Sequence, residues 1–262
     1  MLFDVWHNSV WRLQRALRVA PPPILRRLQR ARYRPVDAAT RLRLQTLTER
    51  YDLSRWTRYL DTAEYQENLY TLDNLDLTLG PGPVNVNSAL EIGCKNFSLL
   101  PALSAYAPGP WLGVELQAYQ RYRDMSTRRS HGEFFCQIFT THGHTCRYYA
   151  GNALDVTESQ DLIVWILPFL TSQTQRHGRL PQRFFQPRAL LQHAWSRLKP
   201  GGRLWIVNQN AEEAALQQRL FADCKIDIDR RHTLASRFSP FRNQRVGWLL
   251  RKTPVSGSSF KH

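Results

Sequence analysis

The segment Ser88-Ala-Leu-Glu-Ile-Gly-Cys-Lys-Asn-Phe-Ser98 decides how the rest of the chain is read. An apolar run ends at Gly93, where glycine lets the backbone turn tightly, and a helical pattern follows near 98–106. The same alternation continues downstream. Short apolar runs at 111–116, 147–150, 162–167, 204–207 and 246–250 are separated by helical stretches near 118–140, 187–197 and 211–222. Strands alternating with helices predict a doubly wound α/β fold, a mostly parallel sheet with helices on both faces.

Upstream, Gly80-Pro-Gly-Pro83 marks a boundary. It divides the chain into an N-terminal helical extension (1–79), an α/β domain (84–253) and a flexible tail (254–262). In the extension, Trp6, Val10, Leu13 and Leu17 form one helical stripe, with Arg12, Arg15 and Arg18 on or beside the opposite face. Pro21-Pro22-Pro23 ends that helix, and a short Arg-rich one is expected at 24–32. Asp37 reads as an N-cap for a helix to about 51. Asp61 with Glu64 reads as a cap for a helix to about 72. The stripe is expected to pack on its own domain with the arginines solvated; the other reading is a docking surface for nucleic acid or an anionic membrane.

The formal net charge is +15, and the first 58 residues hold 13 Arg against four acids. Such charge attracts polyanions. Only five of the 36 basic residues are Lys, a skew that genome base composition also produces. No run approaches the roughly 18 apolar residues of a membrane span, and residues 1–20 lack a secretory leader pattern. A cytoplasmic protein is expected. Cys136, His142, His144 and Cys146 gather in one segment, but their spacing fits no zinc finger or ribbon, so no metal is expected. A helix end, a turn at Gly143 and a strand starting at Cys146 are expected instead.

Five phrases together resemble the class I S-adenosylmethionine-dependent methyltransferases over residues 89–251. Ala89-Leu-Glu-Ile-Gly-Cys94 with Lys95 and Asn96 is similar to the family's first motif. The resemblance implies that Glu91 supports the loop and the cofactor's ammonium end, while the next helix N-terminus faces its carboxylate. The motif's Gly-x-Gly-x-Gly is here Gly93-x-Lys95-x-Phe97, so Lys95 is expected to meet the carboxylate with its charge. Glu115 closes the second run, 22 residues after Gly93, where the family places the acid that holds the ribose hydroxyls. Asn152 and Ala153 resemble the family's adenine-binding phrase, with Asp155 as a second candidate acid. Asp161 to Phe169 resembles the fourth strand and the loop beside the transferred methyl. Leu198-Lys-Pro-Gly-Gly202 is similar to the phrase before the fifth strand. The implied fold is a seven-stranded Rossmann-like sheet in the order 3-2-1-4-5-7-6, with its last strand antiparallel. The implied cofactor is S-adenosylmethionine.

Methyl transfer needs orientation and a dry pocket, and a base only where the acceptor must lose a proton. Pro168, Phe169, Asn208 and Gln209 are the candidates beside the methyl group, and His177 is a candidate base. Three functions stay open: a methyltransferase of small molecules or lipids, one acting on RNA or protein through the basic helices, and a non-catalytic relative.

Overall fold

The computed structural model describes residues 2–21, 33–140, 145–177 and 180–253. The helix expected at 24–32, the residues His142, Gly143 and His144, and the tail lie outside them.

Seven strands form the sheet: β1 (Ala89–Ile92), β2 (Trp111–Val114), β3 (Cys146–Tyr149), β4 (Gln160–Ile166), β5 (Leu198–Asn208), β6 (Arg230–Thr233) and β7 (Val246–Arg251). Their order is β3-β2-β1-β4-β5-β7-β6. The pairs from β3 through to β5 are parallel, and β7 runs antiparallel to both β5 and β6. Ala89 sits opposite Trp111 on one side and Leu162 on the other, so β1 is central.

The helices are α1 (Leu2–Ala16), α2 (Ala38–Arg50), α3 (Trp56–Tyr59), α4 (Thr62–Leu79), α5 (Leu100–Tyr106), α6 (Arg128–Phe139), α7 (Ser172–His177), α8 (Pro187–Arg197) and α9 (Ala211–Asp223). Side chains alternate across a strand, and each sheet face buries its own cluster. Leu162, Val164, Trp205 and Val207 meet residues of α2 to α6, among them Leu47, Leu72, Leu103 and Phe135. On the other face Leu90, Ile163, Trp165 and Ile206 meet Leu191, Ala194, Ala214 and Phe221 of α8 and α9. The segment before Gly80 thus supplies part of one helix layer.

An ion network holds α2 to α4. Arg43 meets Asp73 at 2.6 Å and Asp76 at 2.7 Å, and Arg50 meets Asp76 at 2.7 Å. Tyr51 donates its hydroxyl to Asp76 at 2.5 Å and accepts from the Gly82 N–H at 2.8 Å. The phenol is pushed up by burial and by the neighbouring carboxylate.

The caps stand as expected: Asp37 accepts from Thr40, and Asp61 with Glu64 makes a capping box. Several boundaries moved. The helix expected from 118 begins at Arg128, because Thr127 and Ser130 form a capping box there. Residues before it are irregular, with Met125 at φ +65°. The helix expected to end near 72 continues to Leu79. β5 starts at Leu198 and takes in the Lys-Pro-Gly-Gly phrase; Gly201, at φ +78°, donates to the Lys252 carbonyl. β6 had no apolar run to announce it, being an edge strand of exposed polar residues.

The largest departure is in α1. Three of the four residues of the stripe expected to be packed face away from the protein, Trp6 66% exposed, Leu13 59% and Leu17 52%, while Val10 is half-buried. The docked side is the polar and aromatic one bearing Asp4, Trp11 and Arg15. Among the described residues, no helix is long and apolar enough to cross a membrane.

Candidate functional site

A cavity of about 420 Å³ opens where the carboxyl ends of β1, β2 and β4 diverge. This is the reversal point of the strand order, where open α/β sheets bind ligands. Gly93, Lys95, Glu115, Asn152, Ala153, Pro168, Phe169 and Gln209 all line it.

The turn after β1 is the site's most informative feature. Gly93, Lys95 and Phe97 have φ of +71°, +52° and +59°. These are the three positions at which the motif carries glycine. At Lys95 and Phe97 this left-handed backbone costs roughly 1–2 kcal/mol for each residue, since neither is glycine. Three contacts hold it. Lys95 donates its N–H to Glu115 at 2.9 Å, and its carbonyl accepts from the Tyr148 hydroxyl at 2.5 Å. Phe97, fully buried, lies against Gly113 of β2, where an added Cβ would come within 2.8 Å of its ring.

Glu115 is 6% exposed and heavily used. Besides Lys95, it accepts from the Gln117 N–H at 2.6 Å and pairs with Arg128 at 3.2 Å. Arg128 also reaches Gln117 and lines the cavity. Sequence reasoning missed Arg128 because it ran the helix through the Thr127 cap, the one signal that marks Arg128 as a helix start.

Glu91 stands behind the turn, outside the cavity lining, 3% exposed. Burial pushes its carboxyl up to about 8, against a smaller downward pull from the Lys95 ammonium. One of its oxygens has no partner among the described residues.

The helix N-terminus expected to face an anion is spent inside the protein. Leu100 N–H bonds the Phe97 carbonyl, Pro101 has none, and Ala102 N–H bonds the Asn68 side chain of α4 at 2.9 Å. Asn208 is also not beside the cavity: it is fully buried and accepts from the Trp248 indole N–H at 2.6 Å. Asn96 and Asp155 lie outside the lining as well. His177 closes α7, and its side chain lies outside the described residues. Asn152 lines the cavity, but its oxygen accepts from Leu154 N–H at 3.1 Å.

Much of the cavity is apolar. Trp165, Phe169, Leu180, Phe184, Phe185 and Leu190 all belong to its lining, together with Glu213 and Thr174. The aromatic pair Phe184-Phe185 stood in a stretch that reads as a polar loop.

No family model and no curated protein matches the chain. Among solved structures it is similar to the N-methyltransferase NodS from Bradyrhizobium japonicum WM9, solved with S-adenosyl-L-homocysteine. The two share 17% identity at a TM-score of 0.47, covering 79% of this chain and 97% of that one. It is similar to magnesium protoporphyrin IX methyltransferase from Synechocystis PCC 6803 with bound SAM, at 13% identity, TM-score 0.48, and coverage of 83% and 99%. It is also similar to a SAM-dependent methyltransferase from Aquifex aeolicus, at 12% identity, TM-score 0.49, and coverage of 84% and 99%. The strand order itself, with β7 antiparallel between β5 and β6, is the Rossmann-like fold of the class I S-adenosylmethionine-dependent methyltransferases.

Proposed function

We propose that the chain is an S-adenosylmethionine-dependent methyltransferase. The observation that carries this reading is the turn at Gly93, Lys95 and Phe97, which keeps the shape of a glycine motif beside a cavity at the strand reversal point. The residues present suit the cofactor's separate groups. Lys95 offers a cation to its carboxylate. Glu115 offers lone pairs to the ribose hydroxyls, in competition with Arg128. Asn152, its oxygen engaged by Leu154, has an amide nitrogen to donate to an adenine ring nitrogen. Glu91 holds a buried carboxyl oxygen with no hydrogen-bond partner among the described residues, which suits the ammonium end.

When bound, the cofactor supplies a methyl group on a positively charged sulfur. The chain's own work is to orient and to exclude water. Pro168, Phe184, Phe185 and the more exposed Phe169 supply apolar surface to the lining. Glu213 adds a carboxylate to the lining, one of whose oxygens accepts from the Gln209 N–H at 2.9 Å, and it would serve an acceptor that must lose a proton.

Titration calorimetry with S-adenosylmethionine tests the reading, and a folded protein giving no heat at millimolar ligand sinks it. That outcome would favour a second reading, a cofactor-free relative in which the Arg128–Glu115 pair keeps the diol site closed. In a binding protein, Glu115→Ala weakens the affinity by about 1.5–3 kcal/mol, the scale of charge-assisted hydrogen bonds. Circular dichroism must show the fold intact; unchanged affinity then means that the ribose contact lies elsewhere.

Lys95 is separable by ligand choice. Lys95→Ala weakens S-adenosylmethionine and S-adenosylhomocysteine about tenfold, the loss of one exposed ion pair of roughly 1 kcal/mol or slightly more. It leaves 5′-methylthioadenosine, which lacks the carboxylate, unchanged. Equal losses for all three would assign Lys95 to loop shape alone.

A further inference from the structure

We infer that α1 is a membrane-surface helix, seated on an anionic lipid interface through Trp6, Leu13 and Leu17. At about 100° per residue these three fall within a wedge of roughly 40°. They are 66%, 59% and 52% exposed. Val19, just past the helix, is 91% exposed. A soluble helix hides such a stripe against its own domain; here the opposite side is the one docked.

That docking fixes how the stripe is presented. Asp4 accepts from the Gln182 N–H at 2.7 Å. The Trp11 ring lies 5.1 Å from Phe184, between the guanidinium groups of Arg15 at 4.8 Å and Arg183 at 4.9 Å. At the other end, Arg121 donates to the carbonyls of Leu17 and Val19, each at 2.9 Å. The same guanidinium holds the Met125 carbonyl at 2.8 Å, and Met125 is 57% exposed. Arg121 thus ties the exposed Met125 segment to the end of the stripe at Leu17 and Val19.

Charge selects the occupant. Arg12 and Arg18, both exposed, stand about 120° around the helix to either side of the stripe's centre, and Arg123, also exposed, lies two residues before Met125. The chain's net charge is +15. A second copy would set arginine against arginine. Nucleic acid would satisfy the arginines and leave Trp6, Leu13 and Leu17 in water. An anionic bilayer takes both, with the tryptophan and leucines in the headgroup boundary and the arginines among the phosphates. The inference deepens the methyltransferase reading, since α1 packs by Trp11 on Phe184, a residue of the cavity's apolar wall. The acceptor class that suits this arrangement is an amphiphile drawn from the lipid surface.

Co-sedimentation with vesicles tests the surface without any cofactor, so its outcome is independent of S-adenosylmethionine binding. The full chain is expected to pellet with phosphatidylglycerol-containing vesicles at low salt, weakly with pure phosphatidylcholine, and less as salt rises. Trp6→Glu and Leu13→Glu should each weaken binding about tenfold or more. Leu77→Glu, at an exposed leucine of α4, should not. No pelleting at low salt overturns the inference, as does binding that Trp6→Glu leaves intact. So does RNA binding that outcompetes the vesicles, or a dimer in sedimentation velocity that Trp6→Glu dissolves. Loss of vesicle binding by a variant with an unchanged melting temperature supports it.

Discussion

Asp76→Ala is expected to destabilise the protein by about 3 kcal/mol, because it strips two arginines and a phenol of one buried acceptor. The carboxylate side chain is 4% exposed and ties Arg43, Arg50 and Tyr51 together across the α2–α4 contact. Arg43 keeps Asp73, but the Tyr51 hydroxyl is left with no acceptor. At roughly 2–4 °C per kcal/mol for a chain of this size, the melting temperature should fall by about 6–12 °C. Arg50→Ala should cost far less, its side chain being 32% exposed. Burial alone would raise the Asp76 pKa, but hydrogen bonds from Tyr51, Arg43 and Arg50 outweigh it and hold it below 3.8. A carboxyl depressed in the folded state contributes in full above its unfolded pKa and loses that contribution as pH falls through the folded one. The gap between wild type and Asp76→Ala should therefore be constant above about pH 5 and narrow below about pH 4. Similar melting temperatures at neutral pH would mean that the network is decorative.

Glu91 gives the opposite pH dependence. Its folded pKa of about 8 lies above the ordinary 4.5. Between those values the folded protein holds a proton that the unfolded chain releases, so stability falls as pH rises through the window. At about 1.4 kcal/mol per pH unit, the loss approaches roughly 4 kcal/mol by pH 8. Glu91→Gln removes the titration. Denaturant unfolding at pH 5, 6.5 and 8 should show wild-type stability dropping steadily relative to the variant. Parallel curves would show Glu91 ionised in the folded state throughout. If the proposed cofactor sets a cation beside this carboxyl, binding near pH 7 should also release a proton, read from calorimetry in buffers of different ionisation enthalpy.

The sheet was legible because central parallel strands are apolar runs bounded by turns, and Ala89–Ile92, Trp111–Val114 and Gln160–Ile166 are of that kind. β6 was not, since an edge strand of Arg, His and Thr carries no such mark. In the site, Gly93, Glu115 and Asn152 were legible because they follow strand ends at readable intervals. Arg128 and Phe184 were not, because they reach the cavity through a capped helix start and a short turn whose positions depend on tertiary packing. Asn208 failed for the simplest reason of strand geometry. Residues ending a strand alternate between faces, and Asn208 turned to Trp248 while Gln209 met the cavity. The α1 stripe was legible as a stripe, but periodicity does not say what covers it.

The loop built on Lys95 and Phe97 also bears on the entropy of binding. A glycine turn roams many conformations when empty, and ordering it on a ligand carries a conformational penalty. Here Phe97 is locked under Gly113, and the Lys95 peptide is pinned from both sides by Glu115 and Tyr148. Much of that ordering is completed when the chain folds. A ligand entering this cavity meets a rigid cradle, so its association should carry a smaller entropic penalty than one closing on three flexible glycines.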